Sequence, residues 1–204
     1  MGRKGWAGSP PADDIEAAKR IVDAAIRCVE VGGAQGATLS EVALALGITR
    51  RTIYRYFATT EELFAAVGEA AFDSFLTRLE AATAGLSDAS DLLVESVAYI
   101  IEHLPNEPLL TLFLDVGEAD LFSRRMLTAA QIERCRIILL HKRVDWRGLG
   151  YDDRALDELV EYLLRYIQST VVAPPDPPRT GGALRRHLRR WLVPAIEAQR
   201  NGRR

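Results

Sequence analysis

Apolar residues recur at three- and four-residue steps along most of this chain, the spacing that gathers them on one face of an α-helix. The first run, Ile15, Ala18, Val22, Ala25, Ile26 and Val29, predicts a helix opened by Pro10, Pro11 and Asp13 and closed by Gly32 and Gly33. Thr38 followed three residues later by Glu41 predicts a capping box and a short helix ending at Gly47. Thr49 caps the next helix, predicted to reach Phe57, and Thr59 with Glu62 opens a long one to Ala84. Further helices are expected over 88–103, 107–117, 120–143, 152–173 and 181–199. Pro105, the glycine-bearing loop 144–153 and the proline-rich stretch 173–179 separate them. No alternating strand pattern and no internal repeat is seen, so the fold class is all-α, with about nine helices.

Charge divides this helical chain in a way that composition alone conceals. The 204 residues carry a net charge of −2 and are 48% hydrophobic, enough apolar content for a core. Residues 1–60 hold eight Lys/Arg against six Asp/Glu, residues 61–178 ten against twenty-one, and residues 179–204 eight against one. Such asymmetry points to different tasks for different regions. Cys28 and Cys135 lie far apart within helical patterns and read as reduced, buried, small apolar side chains. The first fourteen residues have no apolar run, so no secretory leader is expected there. No segment has eighteen consecutive apolar residues. A cytoplasmic location follows as the expectation.

The stretch Thr38–Phe57 is a short helix, a glycine turn and a second short helix, the helix-turn-helix layout. At 100° per residue, Ile53 and Phe57 define the buried side of the second helix, opposite Val42, Ala43 and Leu46 of the first. Arg51, Thr52 and Arg55 then point away from the core, with Arg50, Tyr54 and Tyr56 on the flanks. No carboxylate occurs between Glu41 and Glu61. Arginine can fork onto guanine O6 and N7 or grip a phosphate, and Thr and Tyr hydroxyls bond phosphates or base edges. A solvated basic face is the commoner role of such a surface. The glycine turn, the two caps and the buried Ile/Phe pair favour DNA recognition instead.

The segment "TLSEVALALGITRRTIYRYFATTEELF" closely resembles the DNA-binding signature of the TetR family of bacterial transcription regulators. The matching features are Thr38, Val42-Ala43, Leu46-Gly47-Ile48, Thr49, Thr52-Ile53-Tyr54, Tyr56-Phe57 and Glu62-Leu63, within a resemblance covering residues 15–65. It implies a homodimeric repressor of a double-stranded DNA operator, released by a small-molecule effector held in the C-terminal part. The implied organisation is a basic, flexible arm over 1–14, a three-helix DNA-binding domain with the helix-turn-helix over 15–60, and a helical bundle for ligand binding and dimerisation over 61–204. The implied DNA-binding set is Thr38, Ser40, Thr49, Arg50, Arg51, Thr52, Tyr54, Arg55, Tyr56 and Thr60. The chain departs from the family where Arg51 replaces a frequent small residue, and where Thr60 replaces a usual phosphate-holding lysine.

Two apolar stripes near the C-terminus either cap a core within one chain or suit the pairing of helices between two subunits that the resemblance implies. They are Leu156, Leu159, Val160, Leu163, Leu164 and Ile167, with Tyr162 and Tyr166 beside them, and Leu184, Leu188, Trp191 and Leu192. Arg185, Arg186, Arg189 and Arg190 lie opposite the second stripe and either meet solvent or balance the acidic middle region, a second DNA contact being the less common role. Helices over 88–143 are expected to enclose any pocket for a hydrophobic effector, lined by Tyr99, His103, Leu112, Phe113, Val116, Met126, Leu127 and Ala130. Ordinary core packing is the commoner role for each of these. His103 reads as a partly buried residue at a helix end. His103, His141 and His187 have no partner at metal-ligand spacing, and no phosphate loop or nucleophile motif occurs. No catalytic residue, metal or cofactor is therefore expected. The alternative is a helical ligand-binding or interaction protein that does not read DNA.

Overall fold

A computed structural model describes residues 5–36, 38–111, 128–139 and 144–201. Among them are nine α-helices and no strand: α1 (Asp14–Gly36), α2 (Leu39–Leu46), α3 (Arg50–Tyr54), α4 (Thr60–Thr83), α5 (Ala89–His103), α6 (Pro108–Thr111), α7 (Ala129–Leu139), α8 (Asp153–Val172) and α9 (Gly181–Asn201). The chain divides into two compact units, Met1–Phe75 with Glu107–Leu112, and Leu76–Asn106 with Phe113–Arg204.

In the first unit α1 begins where Asp13 accepts the Glu16 amide at 2.7 Å and Glu16 accepts the Ala12 amide at 2.6 Å, so side chains satisfy donors that the helix leaves free. Its buried face is Ala17, Ile21, Ala24, Ala25 and Val29. Of the expected stripe, Ala25 and Val29 are buried and Ala18, Val22 and Ile26 are half-buried beside the core, but Ile15 is 82% exposed. Gly32 and Gly33 do not stop the helix, which runs on to Gly36. Glycine lowers helix propensity by about 1 kcal/mol but keeps its N–H, so the ladder continues where a proline would break it. Ile21, Ala24 and Ala25 pack on Leu39, Val42, Ala43 and Leu46 of α2, Ile53 of α3, Phe57, and Leu63 and Val67 of α4. Leu109 of α6 adds to this core.

The second unit is built around α5. Asp88 caps it, accepting the Asp91 amide at 2.9 Å. Leu92, Leu93, Val94, Val97 and Ala98 are at most 1% exposed, so apolar contact surrounds much of the helix. Leu156, Val160, Leu163 and Ile167 of α8 and Leu184, Leu188, Leu192 and Ile196 of α9 complete the core, with Trp146 and Tyr151 packed edge to face at 5.7 Å. Acid and base meet where α5 and α9 touch. Arg185 pairs with Glu95 at 2.7 Å and Glu102 at 3.1 Å, and Arg189 with Asp91 at 2.7 Å. Part of the basic face of α9 thus balances the acidic middle region. Burial acts to lower the pKa of Arg185, but the hydrogen bonds and negative charges of the two glutamates together outweigh that and raise it.

Candidate nucleic-acid interface

Two side-chain caps and one left-handed residue set the geometry of α2 and α3. Thr38 accepts the Glu41 amide at 3.3 Å, while Glu41 accepts the Thr38 amide at 2.9 Å. Gly47 ends α2 at φ 65°, a conformation that costs an L-residue about 1–2 kcal/mol, and its N–H returns to the carbonyls of Ala43 and Leu44. Thr49 then starts α3 by accepting the Thr52 amide at 3.1 Å. The helix ends at Tyr54, short of the expected Phe57. The Ile53 carbonyl accepts both the Tyr56 amide at 2.9 Å and the Phe57 amide at 3.0 Å, tightening the last turn. Phe57 still reaches the core at 8% exposure, and Ile53 is fully enclosed.

With those two side chains anchored, the opposite surface of α3 is committed to solvent. Arg50, Arg51 and Arg55 are exposed, as are Thr38, Ser40 and Thr49; Tyr54 is 43% exposed. Thr52, Tyr56 and Thr60 are half-buried. The flanking carboxylates Glu41 and Glu62 turn onto backbone amides, Glu62 accepting that of Ala58 at 2.7 Å. They are thereby occupied at helix starts. The Thr49 and Thr52 hydroxyls bond each other at 2.9 Å. Arg55 donates to the Tyr56 hydroxyl, and its guanidinium lies 4.7 Å from the centroid of the Tyr56 ring. The result is three cations and several hydroxyls on one small surface, suited to phosphates and base edges.

Sequence reasoning missed a group beside this surface. Trp6 begins a single 3-10 turn (Trp6–Gly8), within the stretch read as an arm. Its ring meets Tyr56 edge to face, 6.3 Å between centroids at 81°. Arg20 of α1 donates to the carbonyls of Trp6 and Ser9 at 3.0 and 2.6 Å, and sits 5.4 Å from the Trp6 ring centroid. A lone tryptophan among Gly, Ser and Pro has no periodicity to reveal it. Its aromatic character was the only signal.

Of the residues expected to line an effector pocket, Leu112, Phe113, Val116, Met126 and Leu127 lie outside the described residues. Tyr99 is half-buried, and His103 and Ala130 are exposed. His103 is therefore more open than expected. It stacks on Tyr99 at 4.0 Å and bonds the Tyr99 carbonyl through Nδ1 at 2.8 Å. The second unit contains a cavity of about 180 Å³ lined by Tyr166, Ser169, Thr170, Ala173, Pro175, Arg179, Leu184 and His187. Another, of about 440 Å³, is lined by residues that include Ser87, Asp88, Val144, Leu149 and Ile196.

The stripes read as a subunit interface divide between core and surface. Leu156, Val160, Leu163, Ile167, Leu184, Leu188 and Leu192 are each at most 6% exposed within the single chain. They have almost no area left for a second subunit. Leu159 and Leu164 are half-buried, Trp191 is 64% exposed and Tyr162 57%. Cys28 and Cys135 are both half-buried, so the expectation of full burial was too strong. Burial nevertheless raises both thiol pKa values, that of Cys135 to about 11. Among the described residues, no group of three or more His, Cys, Asp or Glu is placed to hold a metal, and no helix is long and apolar enough to cross a membrane.

Residues 21–67 match the family model described as bacterial regulatory proteins, tetR family. No curated protein matches the chain in sequence. Among solved structures, the fold is similar to that of RolR with bound resorcinol, at TM-score 0.62 and 18% identity, over 92% of this chain and 93% of that one. RolR without ligand gives TM-score 0.60 and 18% identity, over 90% and 96%. EbrR, a multidrug binding protein complexed with imidazole, gives TM-score 0.55 and 26% identity, over 86% and 94%.

Proposed function

From the premise that this chain belongs to the TetR family of bacterial transcription regulators, a family of DNA-binding proteins, we propose that it is a cytoplasmic repressor that reads a palindromic operator as a homodimer. The observation that carries this reading is the Arg50, Arg51 and Arg55 surface, held outward by the burial of Ile53 and Phe57 between two capped helices. The three arginines neutralise phosphates or fork onto guanine, and Ser40, Tyr54, Thr60 and the Thr49/Thr52 pair supply hydroxyls around them. Two copies related by a two-fold axis would place two such helices on successive half-sites. Trp191 and Tyr162, exposed on α9 and α8, are the apolar surface that pairing would cover.

The second unit would take a small, largely apolar effector whose binding lowers operator affinity. EbrR, similar in fold and named for multidrug binding, supports a small-molecule effector. A hundredfold release requires a coupling of about 2.7 kcal/mol between the sites, within the range of known allosteric proteins.

Selection of bound duplexes from a random pool tests the DNA reading. The expected product is an inverted repeat whose binding weakens steeply with salt. A pool with no enriched sequence, or an Arg50/Arg51/Arg55→Ala triple variant that binds the selected duplex as well as the wild type, would refute it.

A further inference from the structure

We propose that Trp6 is a positioning residue for DNA recognition, fixing Tyr56 and through it the guanidinium of Arg55. The inference rests on the reading of α3 as the DNA-contacting helix.

Four groups form a continuous line from the body of the unit to its reading surface. Arg20 projects from α1 and holds the 3-10 turn by two carbonyls, those of Trp6 and Ser9. Its guanidinium also faces the Trp6 ring, and Glu16, 3.9 Å away, shares its charge. Trp6 meets Tyr56 with the two rings nearly perpendicular. Tyr56 in turn accepts a hydrogen bond from Arg55 and lies under its guanidinium. Each junction is a cation–π, aromatic or hydrogen-bonded contact with a defined direction, not a general apolar contact.

The backbone is bent to make this line. Trp6 adopts φ 63°, the only positive φ outside glycine among the described residues. A side chain other than glycine is held there only where its surroundings over-determine the conformation, and such outliers concentrate at functional sites. The segment also runs close to the turn of the helix-turn-helix. A Cβ placed on Gly5 would lie 3.4 Å from the Gly47 carbonyl and 3.7 Å from Ile48 Cγ2.

The role follows from what Arg55 lacks otherwise. It stands at the exposed end of α3, and an unsupported arginine there would lose much rotamer freedom on meeting DNA. Stacking on a fixed ring removes part of that loss in advance, which is how preorganisation raises affinity and selectivity. Tyr56 is half-buried against the core of the unit, and the Trp6 ring, packed on the same core, restrains it further.

The test compares the selected operator with an unrelated duplex of equal length. Trp6→Leu is expected to weaken operator binding by up to about tenfold, the factor equivalent to about 1.4 kcal/mol. Binding to the unrelated duplex should not change, and Trp6→Phe, which keeps an aromatic edge, should stay close to wild type. In the Arg55→Ala background, Trp6→Leu should cost nothing further. Arg20→Gln, which loosens the same turn from the far side, should repeat the loss in weaker form should Trp6→Leu fold poorly. Equal weakening on both duplexes, or a Trp6→Leu effect that is the same with and without Arg55, would overturn the proposal. Wild-type operator binding by Arg55→Ala would overturn the Trp6 role alone, whereas wild-type binding by the Arg50/Arg51/Arg55→Ala triple variant would overturn the interface reading and the Trp6 role with it.

Discussion

Trp191→Glu should separate the proposed dimer without unfolding the subunit. Trp191 is 64% exposed in the single chain. Of roughly 230 Å² for a tryptophan side chain, that leaves about 150 Å² to be covered, or about 4 kcal/mol per copy at ~25 cal/mol per Å². Two copies across a two-fold axis give a ceiling of about 8 kcal/mol, reduced by partial coverage and the cost of ordering side chains. A quarter of that, about 2 kcal/mol, already raises the dimer dissociation constant about thirtyfold. The glutamate adds the penalty of an unpaired charge in an apolar contact. Leu188→Ala is the contrasting variant. Leu188 is 1% exposed and packs in its own subunit's core, so truncation should lower thermal stability by about 2–5 kcal/mol while the folded fraction still dimerises. Sedimentation across a range of concentrations reads the first effect, and thermal melting the second. Trp191→Glu protein that sediments like wild type, or wild type that is monomeric, would refute the reasoning.

Gly47→Ala forces an L-residue to φ 65° and should cost about 1 kcal/mol of stability, seen as a lower melting temperature together with weaker operator binding. Cys135, its pKa raised to about 11 by burial, should resist alkylation at pH 8 and react at an ordinary thiol rate once urea unfolds the chain, as mass spectrometry of the labelled peptides can show. His187 has its pKa lowered by burial, and by Arg179 and Arg190, so the folded chain favours the neutral ring. Its stabilising contribution is present above the ordinary value of 6.5 and is lost as pH falls through the lowered one; His187→Gln should flatten that acid limb in urea titrations at successive pH values.

The sequence made local features legible and left packing partners hidden. The Thr38, Thr49 and Thr59 caps depend on residues three positions apart, and Gly47 on one backbone conformation, so each could be read without the fold. The inward pair Ile53 and Phe57 followed from helical geometry alone. Phase was harder: Ile15 and Ile21 are equally apolar, but only Ile21 lies beneath α2 and α3. Likewise, nothing in the composition of α8 and α9 distinguished leucines enclosed by α5 from the tryptophan left outside. Trp6 was hidden for a related reason, since its partners lie 14 and 50 residues away, at Arg20 and Tyr56.

The ion pairs of α9 bear on how such a protein finds its target. Four arginines, at 185, 186, 189 and 190, face away from the leucines of that helix, and any of them left free would cling to passing duplex regardless of sequence. Arg185 and Arg189 are instead engaged by Glu95, Glu102 and Asp91 of the same unit. A regulator searching among millions of competing sites loses time whenever it is held in an orientation that cannot read the bases. On the proposed reading, the pairing of Arg185 and Arg189 within their own unit withdraws two of these four charges from such idle encounters.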